Sequence, residues 1–267
     1  MKVAFLGAGR MATALAQGLI EKKVLTKEHI FASDPSDAAR ASFEKRIGAK
    51  TFSDNVQLLE QAEIVILAVK PQQVKMLLEN IGSWLKGKLF ISIAAGVTLA
   101  RLESLVDATT RLIRVMPNTP ALVGAGASVF SLGARATEKD AMVVKGLFSA
   151  VGIVEQVPEM WLDEVTALSG SGPAYFFAIL EALLDRAAIQ QLPQDLALRL
   201  ATHTMLGAAK MVLETEKPLS ELREAVTSPR GTTFEALQVL KKREMHQAFV
   251  EAVQAAARRS KELSALV

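Results

Sequence analysis

The sequence predicts an α/β Rossmann-type domain with a mostly parallel sheet over residues 1–157, followed by an all-helical C-terminal dimerisation domain over residues 158–267. Three observations carry this. The apolar run Val3-Ala-Phe-Leu6 breaks at once into Gly7-Ala8-Gly9-Arg10-Met11-Ala12, a Gly-x-Gly-x-x-Ala turn ahead of an alanine-rich helical pattern. Up to about residue 155, short β-branched runs alternate with helical periods, the pattern of a parallel sheet covered by helices. Beyond residue 160 strand signals stop, and the rest reads as helices broken at Gly172-Pro173, Pro193, Pro218 and Ser228-Pro229.

Taken in order, Val3, Phe5 and Leu6 make a buried strand; Gly7 allows a tight turn, Gly9 lets a pyrophosphate approach the backbone, and Ala12 lets helix and strand pack closely. The helix from Met11 to about Glu21 would hold phosphate at its N-terminus, where unpaired N–H groups and the helix dipole both favour an anion. A second strand, Ile30-Phe31-Ala32, ends in Ser33-Asp34, before a helix from Ser36 to Ile47. The strand Glu63 to Val69 stops at Lys70-Pro71, and Pro71 suits the first position of a helix to Ile81, where its missing N–H costs nothing. Further strands follow at Lys88–Ile93, Thr110–Val115 and Ala125–Phe130, with a helix at Thr137–Val151 and an edge strand at Gly152–Glu155. In the second half, the helix Ala174 to Ile189 is apolar around most of its circumference and must be buried on several sides. So small a helical domain cannot surround it unaided, so a second subunit is expected against it, giving at least a homodimer.

Composition narrows the class. Of 267 residues half are apolar, yet no apolar run approaches the roughly 18 residues of a membrane span, so a soluble protein is expected. The 31 basic and 28 acidic residues are mixed along the chain, leaving no nucleic-acid or membrane footprint. Without cysteine there is no disulfide, thiolate nucleophile or thiolate metal site, and no metal is expected. The chain enters a strand at once, with no signal-peptide pattern, and a cytoplasmic location is expected.

Several segments have the chemistry of a site. Ala68-Val69-Lys70-Pro71 and Ser92-Ile-Ala94-Ala95-Gly96 fall at the carboxyl edge of the sheet, where doubly wound folds bind ligands. Their small residues would admit a ring or ribose against the backbone, or merely permit a tight turn. Arg114-Val-Met-Pro-Asn118-Thr-Pro120 is a loop fixed by two prolines, with an amide that both donates and accepts; it suits ligand contact or a structural turn. Asp34 either binds a ribose 2′-OH, favouring NADH, or caps the following helix, while Ser33, Ser36 and Arg40 could receive a 2′-phosphate. Ser169-Gly-Ser-Gly-Pro-Ala-Tyr175 and Thr227-Ser-Pro-Arg-Gly-Thr-Thr-Phe-Glu235 each read as a helix start with hydroxyls and glycines. Thr232 and Glu235 have capping-box spacing; with Ser228 and Thr233, the same start also suits a small carboxylate. His203 reads as a packing residue and Tyr175 as a core aromatic.

In this order and spacing, the motifs at Gly7–Ala12, Ala68–Pro71, Ser92–Gly96, Met116–Pro120, Ser169–Tyr175 and Ser228–Thr233 closely resemble the pyrroline-5-carboxylate reductases, over nearly the whole chain. That resemblance implies an oxidoreductase that reduces 1-pyrroline-5-carboxylate to L-proline by hydride transfer, the last step of proline biosynthesis. It implies NADPH as cofactor, with NADH possible, and subunits interlocked as dimers and often assembled into decamers. By the same likeness Ser228, Gly231, Thr232 and Thr233 would hold the substrate carboxylate, with Thr233 also near the imine nitrogen as the catalytic residue. The cofactor would use Leu6, Gly7, Ala8, Gly9, Arg10, Met11, Ser33, Asp34, Ser36, Ala68, Val69, Lys70, Ala94, Ala95, Gly96 and Asn118. Arg230 stands where the family usually has a second glycine, so a positive φ there would be strained, while an outward side chain could add a cation near the carboxylate. Two rivals are weaker. A β-hydroxyacid dehydrogenase needs a lysine one turn after its glycine-rich motif, and here Phe176 occupies that place. A dinucleotide sensor has no need of a carboxylate receptor.

Overall fold

The structure, a computed structural model, describes residues 1–186 and 188–266. Ala187, within the helix expected from Ala174 to Ile189, and Val267, the last residue of the expected helical domain, lie outside the described residues.

Eight strands among the described residues form one sheet: β1 (Val3–Leu6), β2 (Ile30–Ser33), β3 (Lys50–Phe52), β4 (Ile64–Leu67), β5 (Leu89–Ser92), β6 (Arg111–Met116), β7 (Gly126–Leu132) and β8 (Gly152–Gln156). Their order is β3-β2-β1-β4-β5-β6-β7-β8, and every neighbouring pair is parallel except β6 with β7. That reversal follows from chain length. Residues 117–125 connect the two strands through a single 3-10 turn at Thr119–Val123, whereas a parallel return needs a crossover of about a dozen residues or more. β3 is absent from the expected strands; the others fall where periodicity put them.

Both faces of the sheet are covered. The first helices are α1 (Arg10–Glu21), α2 (Asp37–Ile47), α3 (Asn55–Leu59), α4 (Pro71–Ile81), α5 (Leu99–Glu103) and α6 (Glu138–Phe148). Because side chains alternate along a strand, Val3 and Phe5 face one core with Leu15 of α1, Phe43 of α2 and Val144 and Phe148 of α6. Ala4 and Leu6 face the other, with Leu58 of α3, Val74 and Leu78 of α4 and Leu102 of α5. Each such large apolar side chain, fully buried, contributes about 1.5–3 kcal/mol. This is why the strands read as continuous apolar runs, not as alternating ones.

Past Gln156 the described residues are helical or irregular: α7 (Leu162–Val165), a π-turn at Thr166–Gly170, then α8 (Gly172–Leu183), α9 (Gln194–Thr215), α10 (Leu219–Ala225), α11 (Thr232–Lys242) and α12 (Met245–Leu266). α8 ends at Leu183, short of the expected Ile189. Beyond it the chain turns, and the Arg186 guanidinium donates to the carbonyls of Leu192 (3.1 Å) and Gln190 (3.4 Å). The chain divides into two compact units, Met1–Pro173 with Ala255–Val267, and Ala174–Gln254. In the second unit, α8 and α9 leave an apolar cavity of about 910 Å³ lined by residues such as Phe176, Ile179, Leu183, Met205, Ala209 and Val212. Phe176, Phe177 and Leu183 are more than half exposed, so among the described residues part of the apolar circumference read from the sequence is left uncovered.

Candidate dinucleotide and carboxylate sites

In the sheet, the chain runs from β1 outward to β2 and β3 on one side and then returns to β4 on the other, so β1 and β4 flank a topological switch point. The carboxyl ends of β1, β2, β4, β5 and β6 lie along one edge and deliver Leu6–Met11, Ser33–Ser36, Ala68–Lys70, Ala94–Gly96 and Asn118 to it.

The glycine turn is built for close approach. Gly7 has φ 103° and donates its N–H to Ser33 O at 2.7 Å. A Cβ there would lie 2.7 Å from Ala68 O, so no side chain fits. Above Gly9 the space is open, with nothing within 4 Å of where a Cβ would stand. Gly9 is also the N-cap of α1, with no side-chain cap and no acidic residue in the first turn. The first-turn N–H groups therefore have no side-chain cap, which suits a pyrophosphate. Ala12 is fully buried, the close helix–strand contact that the motif predicts.

Beside this turn, Asp34 accepts the Ala8 N–H through Oδ2 (3.1 Å) and the Ser36 N–H through Oδ1 (2.9 Å). The cap of α2 is instead Ser36, whose Oγ accepts the Ala39 N–H at 3.3 Å. Ser33 is buried and donates to Asn55 Oδ1 at 2.6 Å. Arg40 donates to Asp34 O at 2.6 Å and pairs with Asp37. On the neighbouring strands, the Lys70 N–H donates to Gln73 Oε1 (3.3 Å), leaving the lysine side chain exposed. The Ala94 N–H donates to Ser92 Oγ (3.3 Å), and Gly96, at φ 76°, packs against Leu263 and Ser264.

Asn118 has internal partners at both ends of its amide: Oδ1 accepts the Ala127 N–H (2.8 Å) and Nδ2 donates to Ser169 O (3.1 Å). It ties the proline loop to the start of β7 and to the π-turn. Sequence reasoning missed the pair behind it. Arg114, 4% exposed on β6, donates to Glu159 Oε1 (2.8 Å), which also accepts the Leu99 N–H at the start of α5 (2.7 Å). An arginine set between apolar neighbours in the middle of a strand was the available signal, since such a charge persists in a core only with a partner.

Two sequence expectations change at the helical motifs. Ser169 and Gly170 do not open α8, which begins within the motif at Gly172; they end a π-turn, where Ser169 Oγ donates back to Val165 O (3.0 Å) and the Ser171 N–H to Thr166 O (2.8 Å), a wide hydrogen bond. The Thr232–Glu235 capping box does not form either, because Gly231 takes the N-cap and Thr232 becomes the first helical residue. Ser228, Pro229, Arg230 and Gly231 form a turn closed by the Gly231 N–H to Ser228 O (3.0 Å), with Arg230 at φ 57°. A Cβ on Gly231 would stand 2.2 Å from Ser228 Oγ, so a side chain there would displace that hydroxyl. The result is an eleven-residue helix without a side-chain cap, its first turn bearing the hydroxyls of Thr232 and Thr233, with Ser228 beside it. Among the described residues no cluster of metal-ligating side chains occurs. No helix among them is long and apolar enough to cross a membrane.

Comparison with known proteins gives two family matches: "pyrroline-5-carboxylate reductase dimerisation" over residues 159–263 and "NADP oxidoreductase coenzyme F420-dependent" over residues 2–96. A pyrroline-5-carboxylate reductase of Methanosarcina acetivorans is 43% identical over 263 residues, spanning 98% of this chain and 97% of that protein. The solved structure of a pyrroline-5-carboxylate reductase from Coxiella burnetii matches with a TM-score of 0.90 at 38% identity over 98% of both chains. That of a Plasmodium falciparum pyrroline carboxylate reductase with NADP bound gives 0.91 at 32% identity over 99% of this chain and 98% of that one.

Proposed function

The chain belongs to the pyrroline-5-carboxylate reductase family, and from that premise we propose that it reduces 1-pyrroline-5-carboxylate to L-proline through the two receptors described above. It is an NAD(P)H-dependent oxidoreductase with a Rossmann-type fold. When bound, the reduced dinucleotide supplies a hydride to the imine carbon, while the ring nitrogen takes a proton. The α1 N-terminus and the Gly7–Met11 turn hold the pyrophosphate, Ser33, Asp34 and Ser36 border the adenosine ribose, and Ala68–Lys70 with Ala94–Gly96 line the remaining sheet edge. Asn118 takes part by fixing its loop, since its carboxamide already bridges Ala127 and Ser169.

One observation carries the substrate reading: the N-terminus of α11 has no side-chain cap, yet hydroxyls surround it. Ser228, Gly231, Thr232 and Thr233 receive the carboxylate there, with N–H groups and the helix dipole in place of a cation. The Thr233 hydroxyl donates toward the imine nitrogen. An iminium carbon accepts hydride without a strong general acid, so the protein's contribution is orientation and electrostatics. His203, read from the sequence as a packing residue, is instead exposed in the single chain, as is His246, and neither is given a proton-transfer role. Residues 158–267 serve as the substrate and dimerisation domain. A second copy covers the α8–α9 cavity, and dimers assemble further into decamers, in the cytoplasm where reduced nicotinamide is regenerated. The test is consumption of reduced nicotinamide on adding pyrroline-5-carboxylate. Thr233→Ala is expected to lower turnover about 100-fold, the usual cost of one lost transition-state hydrogen bond, with cofactor affinity unchanged. An unaltered rate refutes the role of Thr233.

A further inference from the structure

We propose that Asp34 makes this chain prefer NADH over NADPH, an inference that rests on the dinucleotide reading of the sheet edge. The carboxylate stands at the carboxyl end of β2, the place from which a Rossmann acid meets the adenosine ribose. It is fixed from both sides: Oδ2 accepts the Ala8 N–H and Oδ1 the Ser36 N–H, so it cannot turn away without losing both hydrogen bonds. The first of those donors belongs to the glycine turn itself, which places the negative charge beside the path of the dinucleotide. A ribose 2′-OH would donate to this carboxylate. A 2′-phosphate would instead bring about −1.5 to −2 charge against it.

Groups that usually offset such a charge have other partners here. Ser33 is buried and its hydroxyl donates to Asn55. Arg40 donates to the Asp34 carbonyl and pairs with Asp37. Asp37 adds a second carboxylate to the same corner. For NADPH to bind well, Arg40 would have to leave both partners and Asp34 both donors.

The experiment is a fluorescence titration of the full-length protein with NADH and with NADPH, without substrate, to obtain both dissociation constants. NADH is expected to bind at least tenfold more tightly, roughly the effect of one like charge at a partly exposed site. Asp34→Ser and Asp34→Asn are expected to shrink that ratio to about threefold or less by tightening NADPH; Asn keeps the length of the aspartate side chain and an acceptor oxygen for the Ala8 or Ser36 N–H. Equal or tighter binding of NADPH by the unaltered protein overturns the proposal, as does an unchanged ratio in folded Asp34→Asn. Binding of neither dinucleotide overturns it together with the dinucleotide reading. Tight, selective NADH binding with no reduction of pyrroline-5-carboxylate upholds it and removes the reductase reading alone.

Discussion

Arg230 holds φ 57°, a conformation that costs a side-chain-bearing residue about 1–2 kcal/mol and costs glycine almost nothing. Arg230→Gly removes that strain but loosens the unfolded chain by about 0.4–1 kcal/mol, so a net gain of about 0.5–1 kcal/mol is expected, read as a higher midpoint in urea. An unchanged or lower midpoint would mean that the arginine side chain offsets the strain. This strain was legible only through the family resemblance, which puts a glycine where this chain carries Arg230. Asn118 was less legible. Its chemistry, one acceptor and two donors, was evident, but which partners it meets depends on β6 and β7 running antiparallel and on a carbonyl 51 residues away.

At the scale of elements, β3 was missed because it has three residues, one neighbour and a lysine at its start, too little for periodicity to register. What secures it is a side chain from α2: Glu44 accepts the Thr51 hydroxyl (2.6 Å) and N–H (3.2 Å). Those bonds hold the Glu44 carboxyl below its ordinary range, the Thr51 hydroxyl first, with a smaller contribution from Arg40. A lowered pKa in the folded state adds stability above the unfolded carboxylate range, and that stability is lost as pH falls through the folded value. Thr51→Val should therefore raise the Glu44 titration, seen by NMR, and destabilise the fold near neutral pH but not in strong acid. A Glu44 titration that stays put would break the argument. The π-turn was missed, and α11 was left open between a capping box and a carboxylate receptor, for one shared reason: hydroxyls and glycines look alike whether they cap, back-bond or line a receptor. The difference lies in which residue takes the N-cap, and in α11 that residue is Gly231.

For the whole molecule, the sheet and its ligand edge were readable because each strand carries its own apolar run and each turn its own small residues. The need for a partner was readable too, from the circumference of α8. Leu213 lines the cavity that α8 and α9 leave and is 79% exposed in the single chain. Leu213→Glu should thus leave the chain folded while placing a charge in an apolar contact, and sedimentation should show a shift from dimer to monomer. A dimer of undiminished affinity would place the subunit contact elsewhere. One consequence of the division into units concerns dissection. The sheet-bearing unit takes in the last turns of α12, where the Ser260 hydroxyl donates to Asp163 Oδ1 at 2.6 Å and Leu263 and Ser264 pack beside Gly96. An excised fragment ending at either 157 or 173 would lack that final piece. The dinucleotide half is thus not separable by one cut, and its isolated study calls for grafting the terminal segment back behind a short linker.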